Sequence, residues 1–120
     1  MTVGAFEATV RSRDGVSILE LHGEIDIEAE PALTAAYAEA TAADPAAVVL
    51  NFSDVDYINS TGIALIVGLL ARARKDRRTI GACGLSEHYR EIFQITRLSD
   101  FMGIYPDEET AAGSVSATAR

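Results

Sequence analysis

The 120-residue sequence predicts an α/β domain built on a mixed central sheet, with an N-terminal hairpin and about four helices. Three observations carry that prediction. Apolar residues alternate along the first two extended stretches, which flank Asp14-Gly15, a dipeptide favoured in tight hairpin turns. Further on, short β-branched runs are interleaved with stretches at helical spacing, the pattern of strand-helix-strand units whose helices cover a sheet. The length suits one hydrophobic core, so residues 1–112 are expected to form a single domain.

Each element has a local reason. "AFEATVRSR" (5–13) and "VSILELHG" (16–23) make the hairpin, with Val16, Ile18, Leu19 and Leu21 supplying the apolar side of its second strand. "EAEPALTAAYAEATAADP" (28–45) reads as a helix, with Pro31 near its start, Leu33, Ala36, Tyr37 and Ala40 on one face, and Asp44-Pro45 as its stop. "AAVVLNF" (46–52) is short, apolar and β-branched, hence a buried strand that ends before Ser53-Asp54. Residues 60–75 are helical, with Ile63, Ile66, Val67 and Leu70 forming one stripe. "RRTIGACGL" (77–85) is another strand, and Ser86 caps a helix carrying Tyr89, Ile92 and Phe93. "FMGIYPDEETAAG" (101–113) supplies a last strand and a terminal helical turn. Residues 113–120, small and polar, are expected to be a disordered tail.

Composition excludes several functions. A net charge of -8 disfavours nucleic acid, whose phosphates require clustered cations. The one basic cluster, Arg72–Arg78, reads as a solvated helix end whose cations complement the helix dipole. The longest nearly apolar run, residues 63–73, falls short of the roughly 20 residues of a membrane span, so no membrane insertion is expected. The N-terminus lacks a basic start followed by an apolar stretch, which points to a cytoplasmic protein. Cys83, the only cysteine, rules out an internal disulfide and reads as a buried strand residue. Two histidines without a second thiol give no metal site, and "GACG" has neither the length nor the lysine of a phosphate-binding loop, so no cofactor and no enzyme activity are expected.

The polar stretch "SDVDYINSTG" (53–62) is the candidate site, because loops leading from a buried strand into a helix are where α/β sheets place ligands. Asn59, Ser60 or Thr61 could each cap the helix through a side-chain oxygen. Gly62 costs helix propensity unless something approaches the backbone closely, which favours a site. A phosphate on Ser60 would meet the free N–H groups and positive dipole end of the helix, while Asp54 and Asp56 would repel it. The outcome is a binding switch rather than a folding switch. Leu65 and Leu69, with Gly68 and Arg72, project away from the main stripe and form a candidate partner-facing patch. Glu24 and Asp26 have no well-placed histidine or lysine beside them and read as turn, cap and partner-contact residues.

"LELHGEID", "VVLNFSDVDYINSTGIALIVGL" and "GACGLSEHYREIFQITRLSDFMGIY", in that order, resemble the STAS family, and within it the bacterial anti-sigma factor antagonists. The resemblance covers residues 16–109. It implies the STAS fold, and it implies that Ser60 is phosphorylated by an anti-sigma factor that is also an ATP-binding serine kinase; Thr61 is the alternative acceptor. The unmodified protein would bind that anti-sigma factor and free a sigma factor, and a phosphatase would reverse the modification. Asp26 matches an acidic position that lies beside the serine in the family. Asn59 stands where the family most often has aspartate, keeping a capping oxygen but removing a charge. The alternative implied by that departure is a STAS scaffold that is not phosphorylated, or a subunit of a stress-signalling or transport assembly. A phosphoacceptor receiver domain fits less well, since "VVLNF" ends in Asn51 and Phe52 without the required aspartate.

Overall fold

The computed structural model describes residues 5–118. Strands β1 (Glu7–Arg13) and β2 (Val16–Ile25) pair antiparallel, with Arg13 opposite Val16. Their two-residue connection places Asp14 at φ 52° and Gly15 at φ 82°, the left-handed pair that a tight hairpin turn requires. Three strand-helix-strand crossovers follow: α1 (Glu30–Thr41) leads to β3 (Ala47–Ile58), α2 (Ser60–Lys75) to β4 (Thr79–Cys83), and α3 (Glu87–Ile95) to β5 (Gly103–Tyr105). Short 3-10 turns at Ile27–Ala29 and Leu98–Asp100 precede α1 and β5, and α4 (Glu108–Thr118) closes the chain. Sheet order is sequential, β1-β2-β3-β4-β5, with every pair after the hairpin parallel.

Period-two alternation divides the core in two. Leu19, Leu21, Val48, Leu50, Phe52 and Ala82 point to one face, where they meet Leu33, Ala36, Tyr37 and Ala40 of α1, Ile66, Leu69, Leu70 and Ala73 of α2, and Tyr89 and Phe93 of α3. Val16, Ile18, Ala47, Val49 and Cys83 point to the other face, which Ala111 and Val115 of α4 cover. The faces of α1 and α3 are those the spacing predicts, apart from half-buried Ile92.

Three expectations change. First, β3 does not stop at Phe52: residues 53–58, expected as a loop, continue the strand to Ile58. They pair with the long β2 through two register shifts, after Glu20 and after Gly23, so twelve residues remain extended. Second, α2 has the expected bounds but a rotated face. Gly62, Ile66, Leu69, Leu70 and Ala73 are buried, whereas Val67, placed by the spacing in the core stripe, is 46% exposed. Third, the expected tail from Gly113 is helical as far as Thr118, and Val115 is 1% exposed against the second sheet face. Residues 119–120 lie outside the described part.

Candidate functional site

The site forms at the carboxyl ends of β2 and β3. Ile25, the last residue of β2, pairs with Ile58, the last residue of β3, and the Ile25 carbonyl accepts the Asn59 N–H at 3.2 Å. β3 overruns β4, whose pairing stops at Asn51 with Cys83, so the Ile58 N–H needs another acceptor. It donates to the Tyr89 hydroxyl of α3 at 2.9 Å. The end of β3 is thereby held from both sides, and α2 starts one residue later.

Asn59 is the cap. Its backbone is extended at φ -90° and ψ -178°, its Oδ1 accepts the Gly62 N–H at 2.8 Å, and its carbonyl accepts the Ile63 N–H at 2.9 Å. This settles which of the three candidate residues does the capping, and it leaves the Ser60 and Thr61 hydroxyls without a hydrogen-bond partner among the described residues. Ser60 is exposed as the first helical residue; Thr61 is half-buried. An aspartate at 59 would cap through the same oxygen position, so asparagine preserves the local geometry and changes only the charge.

Gly62 has a structural explanation. A Cβ placed there would lie 2.0 Å from the Ile25 carbonyl oxygen and 2.9 Å from the Ile58 side chain. The close approach that the glycine signals is made by the chain's own β2, not by a ligand. Gly62 sets how tightly α2 seats against the sheet, and through that seating it fixes where Ser60 stands.

Acidic groups surround this end. Asp26 directly follows Ile25 and caps the 3-10 turn by accepting the Glu28 N–H at 2.9 Å, which places it next to the start of α2. Glu24 is exposed opposite Tyr57, and Asp56 is exposed on β3. Asp54 lies 3.2 Å from His22 Nδ1. No lysine or arginine occurs in the sequence between Arg13 and Arg72, and among the described residues none forms an ion pair with Glu24, Asp26, Asp54 or Asp56. Two apolar side chains accompany it: Ile27 at 59% and Tyr57 at 52% exposure. Sequence patterning passed over both, because a single apolar residue in a polar segment produces no periodicity; the only cue was their adjacency to "GEID" and "INSTG".

The structure therefore brings Glu24, Asp26, Asn59, Ser60, Thr61 and Gly62 together and separates the other three candidates from them. Leu69 is 4% exposed and belongs to the core, which corrects its expected role as a partner contact. Leu65 is half-buried and packs against the same core. Arg72 is exposed but lies twelve residues along α2 from Ser60, about 18 Å at 1.5 Å per residue. Its guanidinium sits 5.1 Å from the Tyr37 ring centroid.

The STAS domain model matches residues 7–111, nearly all of the described chain. The protein belongs to the STAS domain family. Among its relatives, the anti-sigma-F factor antagonist RsfB of Mycobacterium tuberculosis (strain H37Rv) is 32% identical over 94 residues, covering 68% of this chain and 77% of that protein. An anti-sigma-B factor antagonist of Staphylococcus epidermidis is 29% identical, covering 72% and 80%. The crystal structure of an anti-sigma factor antagonist from Mycobacterium paratuberculosis superposes with a TM-score of 0.81 at 26% identity, covering 94% of this chain and 96% of that one. No helix among the described residues is long and apolar enough to cross a membrane.

Proposed function

We propose that this STAS domain is an anti-sigma factor antagonist whose Ser60 end binds an anti-sigma factor, and that phosphorylation of Ser60 by that partner, an ATP-binding serine kinase, ends the binding. One observation carries the reading: Ser60 is exposed at the first position of α2 with its hydroxyl uncommitted, because Asn59 does the capping. A kinase can take this hydroxyl without dismantling the helix start. The names borne by the relatives support an anti-sigma factor as the partner.

The local physics explains why a phosphate would act on binding. It adds about -1.5 to -2 charges at neutral pH. The helix N-terminus accommodates them through free N–H groups and its dipole, so the fold tolerates the group. Glu24, Asp26 and Asp56 already make this end negative. A partner surface fitted around Ile27, Tyr57 and a neutral hydroxyl would then meet a dianion in an acidic setting. Ser60 is the favoured acceptor over Thr61 because it is the more exposed of the two.

The test is incubation with candidate ATP-binding anti-sigma factors and ATP, followed by mapping of phosphate by mass spectrometry. Phosphate is expected on Ser60. In pull-downs, Ser60→Ala should bind like the wild type and Ser60→Asp at least about tenfold more weakly, as expected for like-charge juxtaposition at an interface. Phosphate confined to Thr61, or equal binding by all three proteins, refutes the switch; equal binding would leave an unmodified scaffold.

A further inference from the structure

The second half of α2, the start of β4 and the segment from Thr96 to Gly103 enclose a groove of about 890 Å³ that takes no part in the Ser60 end. Its floor is apolar, made by the buried residues Leu70, Ile80, Leu98 and Met102. On its walls stand Val67 and Phe101, 46% and 58% exposed, two of the five large apolar side chains that the described residues leave in water.

Its rim is cationic. Arg74 lies over the Phe101 ring with its guanidinium carbon 5.5 Å from the centroid, and it makes no ion pair among the described residues. Arg78, tied to Asp44 at 2.9 Å, and Arg97 complete the rim; the one lining carboxylate, Asp100, is held by Arg97 at 2.8 Å. Of the ten lysines and arginines of the chain, Arg74, Arg78 and Arg97 line this groove, and Lys75 and Arg77 adjoin them in sequence, whereas Arg72 turns to Tyr37. In a protein of net charge -8, that leaves one end of α2 acidic and the other basic.

An apolar trough with an arginine rim is the complement of a segment that is apolar on one face and acidic on the other. The trough follows α2 from Val67 to Arg74, about 10.5 Å of helix rise, and continues past the helix end to Arg78, room for about two turns of a docked helix. We propose that this groove docks an acidic amphipathic helix of a protein partner. The Ser60 switch has no bearing on it. Ser60 and Arg74 are fourteen residues apart on one helix, about 21 Å, more than twice the screening length of roughly 8 Å at physiological salt.

The test pans a phage-displayed library of random 16-residue peptides on the full chain and, in parallel, on Arg74→Glu. Because Arg74 is exposed, the variant should melt like the wild type; Phe101→Ala serves as a second variant if it does not. Enriched peptides should carry Asp and Glu on one helical face and Leu, Ile or Phe on the other. They should bind Arg74→Glu at least about tenfold more weakly and Ser60→Asp as well as the wild type. They should also shift the amide NMR signals of Val67, Arg74 and Phe101. Absence of enrichment, enrichment of basic or neutral sequences, equal binding by both groove variants, or shifts at the Ser60 end would overturn the proposal. So would concentration-dependent dimerisation abolished by Arg74→Glu, which assigns the groove to a second copy, or binding of a labelled single-stranded RNA lost in that variant. No arm needs a kinase, so failure of the Ser60 reading leaves this result interpretable.

Discussion

At Gly62 a missing side chain decides the geometry of its neighbour. Replacing it with alanine would set a carbon 2.0 Å from the Ile25 carbonyl oxygen, so β2 and the start of α2 would have to part. Gly62→Ala is expected to lower stability by about 2–3 kcal/mol or more, read as a fall in the urea midpoint. Ser60→Ala, exposed and without a hydrogen-bond partner, should stay within about 0.5 kcal/mol of the wild type. A Gly62→Ala protein as stable as the wild type would mean that α2 is not seated on Ile25. Part of this geometry was legible in the sequence. Glycine in a helical first turn does signal a close approach, but not what approaches. Likewise, three adjacent residues with side-chain oxygens all satisfy the chemistry of a cap, and only the backbone path selects Asn59.

Among the elements, α2 shows where patterning loses its power. Its bounds were legible because Ser60 and Lys75 lie at a polar-to-apolar change and in a basic last turn; its buried face was not, because apolar residues surround the helix. Leu69 is the consequence. At 4% exposure, Leu69→Ala should cost about 2–5 kcal/mol, and Leu69→Asp should lose its cooperative melt through an unpaired buried charge. Retained melting with impaired partner binding would restore Leu69 to the surface. β3 and α4 escaped for related reasons. Residues 53–58 are polar and exposed for most of their length, so their strand character comes from pairing with β2. Gly113, Ser114 and Ser116 are weak helix formers that the burial of Ala111 and Val115 keeps helical.

The start of α4 has its own anchor. Glu108 receives hydrogen bonds from Arg11, Arg13 and Asn51, which tie the helix to β1 and β3. Burial pushes its carboxyl up, but those donors outweigh burial and hold it below its ordinary 4.5. Because the folded value lies below the unfolded one, the stabilisation is complete above about pH 4.5 and fades as pH falls through the folded value. The stability gap between wild type and Glu108→Gln should therefore narrow in acid, as measured by urea unfolding at a series of pH values. Cys83 offers an independent readout from beneath the same helix. Burial pushes its thiol up to about 11, so neutral thiol reagents should react slowly, and faster in Glu108→Gln if the anchor holds α4 down.

For the molecule as a whole, β-β-α-β-α-β-α-β-α was legible from turn residues and periodicity, and the sequential strand order follows from short crossovers. The charge layout was less visible, because it depends on which loops the fold gathers at each end. A phosphate on Ser60, as proposed, would add negative charge to that end, yet the charge would rest on a helix N-terminus and in water. Ser60→Asp should accordingly melt within about 3 °C of the wild type, as followed by circular dichroism. A larger loss would mean that modification acts on folding. Ile25 deepens the point: its carbonyl takes the Asn59 N–H and fills the space beside Gly62, so the start of α2 has a single seat. An element without a second arrangement has nowhere to store a signal and nothing to relay to a distant surface. A phosphate on Ser60, as proposed, would be legible only to a molecule in contact with it, so the enzyme that adds it and the partner that responds to it would compete for one small area.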